Sequence, residues 1–256
     1  MNKKRVFIKR RPDNMPADYL IREADGLARL SRHILAVPDC RLRTPRVELV
    51  DEQLLHLEYI ESVVPTDQHM QLLGKGLATF HQPTEESFGL EKNNFIGLSR
   101  QHNTWSDDWG RFFVEYRLQY QIECIKNLEI REDFCQFLES HRIQLVEFLN
   151  RSNPQSSLLH GDLWSGNVLF DDNHVWLIDP ATYYGDREVD LAMTEMFGGF
   201  SEAFYKAYDM CFPRSTDYHH KKVIYNLYHY LNHYNLFGSG YLPACYQAIL
   251  YVENME

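Results

Sequence analysis

The sequence predicts an α+β fold on three observations. Ahead of residue 60, short apolar strands surround a single amphipathic helix. From Gln68 onward, longer apolar stripes recur at helical spacing. Late in the chain, Leu158 to Pro180 reads as strand, polar loop, strand, tight turn and strand. With 256 residues the chain can bury a sizeable core, as two lobes or as one unit.

Taken in order, Val6-Phe7-Ile8 forms a short strand that delivers Lys9, and Arg11-Pro12-Asp13-Asn14 ends it. Strand alternation puts Arg10 on the opposite face from Lys9. A helix follows at about Ala17 to Leu35, with Leu20, Ile21, Ala24, Leu27, Ala28 and Leu30 on its apolar face and Glu23 along it. Pro45 to Val50 and Leu54 to Ile60 make a hairpin turned at Asp51-Glu52. Met70, Leu72, Leu73, Leu77, Ala78 and Phe80 stripe a helix over Gln68 to His81. Asn94 to Asn103 reads as a loop containing Gly97. A long helix then opens at Trp105, capped by Thr104 with Asp107 three residues on, and its aromatics are mostly core. Phe134 to Leu149 is amphipathic and stops at Asn150-Arg151-Ser152-Asn153-Pro154. From Met193 to the end, helical Tyr-rich segments alternate with breaks at Phe212-Pro213 and Gly238-Ser239-Gly240.

Composition narrows the function classes. A formal net charge of -10 opposes nonspecific nucleic-acid binding, which needs a basic footprint. An anionic substrate therefore needs a local positive site. Five scattered cysteines, none in a Cys-x-x-Cys pair, give no zinc signature and fit reduced thiols. The basic start Met1 to Arg5 is followed by only Val6-Phe7-Ile8 before Lys9-Arg10-Arg11, too short for a signal peptide. No run is long enough to span a membrane, and the expected location is cytoplasmic.

Chemistry concentrates in Leu158-Leu159-His160-Gly161-Asp162-Leu163-Trp164-Ser165-Gly166-Asn167 and in Val175-Trp176-Leu177-Ile178-Asp179-Pro180. Asp171-Asp172-Asn173 supplies a turn, so Asn167 and Asp179 flank the open end of a hairpin. Asp162 stands five residues before Asn167. Two carboxylates and an amide oxygen suit a hard cation such as Mg²⁺. The order Asp, Asn, Asp is similar to the catalytic loop and metal site of kinase-like phosphotransferases. His160-Gly161-Asp162 resembles their small-molecule branch. Leu163-Trp164-Ser165-Gly166-Asn167, Asp179-Pro180-Ala181 and the segment Tyr183 to Met193 resemble the fructosamine (ketosamine) kinase family.

That resemblance implies a bilobal protein-kinase-like fold, with an N-terminal lobe over 1–60 and a catalytic lobe over 61–256. It implies an ATP- and Mg²⁺-dependent enzyme that phosphorylates the sugar 3-hydroxyl of a ketosamine, as a small molecule or on a glycated protein. Asp162 is then the base, Asn167 and Asp179 the metal ligands, and Lys9, paired with Glu23, the phosphate contact. Adenine is expected at backbone groups from Glu58 to Ile60, with His56 or Leu57 lining its pocket. Trp164 either stacks on the sugar, as in the family, or packs against the large lobe. Trp105 is a candidate for the acceptor wall. His160 and Asp190 are expected to brace the loop. Only ten residues separate Asp179 from Asp190, too few for a peptide-docking activation segment, which disfavours a protein kinase. The family's first hairpin and glycine-rich loop are absent ahead of Lys9, so the N-terminal lobe is expected to be incomplete. The alternatives are an aminoglycoside- or choline-type kinase and a non-catalytic kinase-like scaffold.

Overall fold

Lys9 reaches the centre of the molecule from a three-stranded antiparallel sheet built on strands β1 (Val6–Arg10), β3 (Val47–Val50) and β4 (Leu54–Glu58), in the order β1-β4-β3. The structure is a computed structural model that describes residues 5–37 and 40–255. The expected basic start, residues 1–4, lies outside the described residues. Asp51 makes the predicted turn, its Oδ1 accepting from the backbone N–H groups of Gln53 and Leu54 at 2.7 and 2.8 Å. Register pairs Lys9 with Leu55 and Phe7 with Leu57, so these four side chains share one face. Helix α1 (Tyr19–Leu35) covers that face, and Leu20, Ala24 and Leu27 bury Leu55 and Leu57. Each such fully buried leucine contributes roughly 1.5–3 kcal/mol.

The same helix ties into the rest of the molecule. Leu30 and Ile34, one and two turns further on, join a second core with helix α2 (Asp67–Phe80), and β2 (Leu42–Arg43) pairs parallel with β9 (Val175–Leu177). Leu30, Ile34 and β2 thus pack with α2 and β9. An extended linker leads from β4 to α2, and Val63 N–H donates to the Phe170 carbonyl at 2.8 Å. Thr66 and His69 cap α2 reciprocally.

Two expectations fail here, each for a local reason. Asn94–Gln101 is not a loop but a hairpin, β5 (Asn94–Ile96) and β6 (Ser99–Gln101), turned at Gly97 with φ +55°. Nor does a helix open at Trp105. Ser106 exchanges backbone hydrogen bonds with Phe88, holding residues 105–106 extended. Helix α3 (Trp109–Phe113) therefore starts later, with Asp108 accepting from Arg111 N–H as the N-cap, and Thr104 has no capping role. The helix continues through a π-helical stretch, Val114–Gln119, into α4 (Tyr120–Glu123).

Helix α5 (Leu128–Arg151) begins six residues before the predicted stripe, at an Asn127 cap, and leads into β7 (Ser156–Leu159). Strand β7 pairs with β10 (Tyr183–Asp186), and β8 (Val168–Phe170) pairs with β9. Helices α6 (Glu188–Met196), α7 (Glu202–Cys211), α8 (Tyr218–Phe237) and α9 (Leu242–Glu253) complete the shell, broken near the predicted positions. The aromatics Trp109, Phe112 and Phe113 are core, packed with Tyr183, Tyr225 and Tyr228. The architecture is α+β, with small sheets in front and a mainly helical body behind.

Candidate active site

The β8–β9 hairpin sets the site's base. Asp171 Oδ1 accepts from the backbone N–H of Asn173 and of His174, both at 2.8 Å, closing the turn. At the open end the Ile178 N–H donates to the Asn167 carbonyl at 3.0 Å, which brings Asn167 beside Asp179. Asp179 adopts a left-handed backbone with φ +53°, uncommon for a residue with a side chain. The Asn167 amide nitrogen donates to the Asp162 carbonyl at 2.8 Å and to its Oδ2 at 3.1 Å. That turns Asn167 Oδ1 away from Asp162 and leaves an oxygen donor for another partner.

The loop carrying Asp162 is fixed from beneath. Asp190 accepts from the backbone N–H of His160 at 2.7 Å and of Gly161 at 2.8 Å. Burial works against the Asp190 charge, but the His81 ring and these N–H groups hold its carboxyl below its ordinary range. His160 donates from Nε2 to the Ile178 carbonyl at 2.8 Å, and its Nδ1 accepts from the Asp162 N–H. Burial lowers the pKa of this imidazole, and both its nitrogens are committed to backbone groups. Gly161 is required: at φ +82°, an added Cβ would lie 2.1 Å from the Ala181 carbonyl oxygen.

Asp162 is a strongly perturbed carboxyl. Burial pushes its pKa up to about 7, with the charges of Asp179 and Asp190 adding to the shift and the Asn167 amide opposing it. Across the cleft, Lys9 Nζ lies 2.7 Å from Glu23 Oε1 and 2.5 Å from Asp179 Oδ1. Burial opposes the Lys9 charge, but these two carboxylates outweigh it and hold the ammonium above its ordinary range. Lys9, Glu23, Asp162, Trp164, Asn167 and Asp179 line one cavity of about 230 Å³. The Trp164 indole lies over Gly166, where an added Cβ would meet the ring at 2.2 Å. It also meets Phe197 edge-on at 6.0 Å, yet remains 38% exposed to the cavity. Packing and cavity lining are therefore both part of its placement.

Several expected residues fall elsewhere. Trp105 is not in this cavity. The bridge between Phe88 and Ser106 and the one between Gly89 and Tyr184 hold its segment beside β10, where it stacks on Tyr184 at 5.9 Å. It borders a separate surface cleft with Glu85 and Glu86. Glu58 ends β4 and accepts from the Arg46 N–H, while Ile60 lies in the linker; neither lines the cavity around Asp162. His56 lies on the sheet face opposite Lys9, whereas Leu57 shares the Lys9 face but is buried under α1. The half-exposed residue on the Lys9 face is Phe7. Sequence reading also missed cavity-lining residues, notably Tyr19 and Arg22 on α1 and Asn94, Phe95 and Gly97 on the hairpin. Gly97, a turn-forming glycine between the short runs Asn94-Phe95-Ile96 and Ser99-Arg100-Gln101, was the signal that could have found the latter.

A model of the family described as fructosamine kinase matches residues 1–253. The chain belongs to the fructosamine kinase family. A relative from Synechocystis named "Probable ketoamine kinase" is 41% identical over 199 residues, covering 76% of this chain and 66% of that one. This chain thus spans slightly under two thirds of that relative. A crystal structure from Thermobifida fusca, assigned by name to the fructosamine-3-kinases, is 28% identical with a TM-score of 0.83, covering 98% of this chain and 86% of that one. The gentamicin complex of APH(2")-IIa, 14% identical, aligns with a TM-score of 0.55 over 98% of this chain and 85% of that one. The fructosamine kinase fold seen here is thus the kinase-like fold of the aminoglycoside phosphotransferases.

Proposed function

We propose that this chain is an ATP-dependent phosphotransferase that phosphorylates the sugar 3-hydroxyl of ketosamines, free or carried on glycated protein. The observation that carries the proposal is the meeting of Lys9, Asp162, Asn167 and Asp179 in one cavity, with the Asp162 carboxyl tuned to about 7. Names of the relatives, a ketoamine kinase and a fructosamine-3-kinase, support the acceptor class and the position phosphorylated.

Asp162 accepts the proton of the acceptor hydroxyl; a base titrating near neutrality combines availability with proton affinity. Lys9, its rotamer restricted by Glu23, meets the phosphates of the nucleotide. Trp164 offers an aromatic surface to the apolar C–H face of the sugar. The free Asn167 Oδ1 and the Asp179 carboxylate form an oxygen-only donor pair, which fits Mg²⁺, a cation that keeps waters and takes phosphate oxygens. When bound there, Mg²⁺ supplies positive charge to the transferring phosphoryl group. Half-exposed Phe7, on the same sheet face as Lys9, supports adenine binding on that side of the linker.

Five unpaired thiols fit a reducing cytoplasm, and no helix among the described residues is long and apolar enough to cross a membrane. An acceptor panel tests the proposal: fructosyl- and ribosyl-lysine, an aminoglycoside and choline, each with Mg·ATP. Phosphorylation confined to the ketosamines is expected. Turnover of only the aminoglycoside or choline would move the assignment to another branch of the fold. No turnover, with no metal-dependent nucleotide binding by calorimetry, would make the chain a scaffold.

A further inference from the structure

Four polar side chains outside the kinase motifs are buried together behind the site: Asn94, Gln101, Asn103 and Arg117, each no more than 6% exposed. Buried polar groups are costly unless bonded, so where their bonds end is informative. Gln101 Nε2 donates to the Ala181 carbonyl at 2.9 Å and to Asn94 Oδ1 at 2.8 Å. Asn103 Nδ2 also donates to Asn94 Oδ1, at 2.8 Å. With its oxygen taken twice, the Asn94 amide turns its nitrogen to the Thr182 carbonyl, 2.8 Å away. Arg117 Nη2 donates to Asn103 Oδ1, and Tyr228 OH donates to Gln101 Oε1. Arg117 itself sits in the π-helical stretch, 4.0 Å from the Tyr183 ring centre. Such widened turns often accompany functional sites.

All these bonds lead to two backbone carbonyls, those of Ala181 and Thr182, two and three residues after Asp179. Pro180, between Asp179 and Ala181, has no N–H, so backbone hydrogen bonding restrains this stretch less than usual. Asp179 holds a left-handed conformation that persists only where its surroundings over-determine it. On one side the Ile178 N–H to Asn167 bond supplies the restraint; on the other, the Ala181 N–H to His160 bond and the two side-chain amides do.

We propose that Asn94 and Gln101 are positioning residues for Asp179: from a hairpin outside the kinase motifs, their amides grip the chain after it and aim its carboxylate at the cation and Lys9. This rests on the reading of Asp179 as a metal ligand, so the test separates the two. Mn²⁺ binding is measured by electron paramagnetic resonance with a non-hydrolysable ATP analogue, alongside steady-state kinetics. In Gln101→Met, similar in length but without donors, Mn²⁺ affinity is expected to fall roughly tenfold and kcat with it. The acceptor KM should stay within about twofold. Tyr228→Phe, which keeps the core filled and removes only the hydroxyl orienting Gln101, should shift Mn²⁺ affinity about threefold the same way. It answers the question if Gln101→Met does not fold. Asp179→Ala is the control and should abolish Mn²⁺ binding. If Asp179→Ala binds Mn²⁺ normally, the metal-site reading fails. If Asp179→Ala loses Mn²⁺ while the folded Gln101 and Tyr228 variants bind it as the parent does, the positioning role alone is overturned.

Discussion

Replacing Asp162 with Asn should make the protein more stable and nearly inactive. In the folded chain, burial lifts this carboxyl from an ordinary value of 3.8 to about 7. The folded state therefore holds the proton more tightly than the unfolded one between these values. Stability falls as pH rises through that window, and the penalty is complete above about pH 7 and gone below about pH 4. Three units at about 1.4 kcal/mol each set a ceiling of about 4 kcal/mol. The side chain keeps contact with solvent through the cavity, so about half of that, ~2 kcal/mol, is the working figure. For a chain of this size that is a rise in Tm of roughly 4–8 °C at pH 8. The new amide can still accept from Asn167, so the loop loses no bond. Thermal melts of both proteins at pH 8, 6 and 4.5 make the test, and the gap should close stepwise towards acid. Over the same range kcat should be lower by about 10²–10⁴ at pH 8. An unchanged or lower Tm at pH 8 would refute the idea that this carboxylate is held at a cost to the fold.

Parent kcat/KM should decline below about pH 7 as Asp162 takes up its proton, a limb read from a pH–rate profile that the His160 bonds cannot supply. Lys9→Met leaves Glu23 and Asp179 facing each other without their shared cation, and kcat/KM for ATP should drop on the order of 10²-fold in initial-rate assays. Gly161→Ala forces a Cβ into the Ala181 carbonyl at positive φ and should cost on the order of 3 kcal/mol, visible in urea unfolding. Trp105→Ala, outside the cavity, should leave the acceptor KM within about twofold of the parent; a tenfold rise would return that indole to the acceptor wall.

The motif from Leu158 to Pro180 was legible because its turn chemistry and apolar strands are local, and the hairpin's mouth follows from them. Helices α1 and α2 were legible through periodicity. Strand β10 was not, because Tyr183 to Asp186 is buried on both faces and shows no alternation. The late start of α3 was hidden for a different reason: residue 106 is taken by Phe88, a partner eighteen positions away that no local pattern announces. Trp105 was misplaced with it. The hairpin over Asn94 to Gln101 looked like a loop because its strands are only three residues each, and two of its polar side chains, Asn94 and Gln101, are buried holding another segment rather than exposed.

The cavity is electrically lopsided. Glu23, Asp162 and Asp179 border it, against Lys9 and an Arg22 already claimed by Asp18 and Asp25. A bare tetraanion entering such a recess meets three carboxyl groups against a Lys9 already paired with two of them, and the chain's overall -10 adds to the repulsion. On the proposed Mg·ATP reading, nucleotide should therefore be admitted only after a divalent cation has cloaked its charge, and uncomplexed ATP in excess should compete weakly, so that the cation would govern entry as well as transfer.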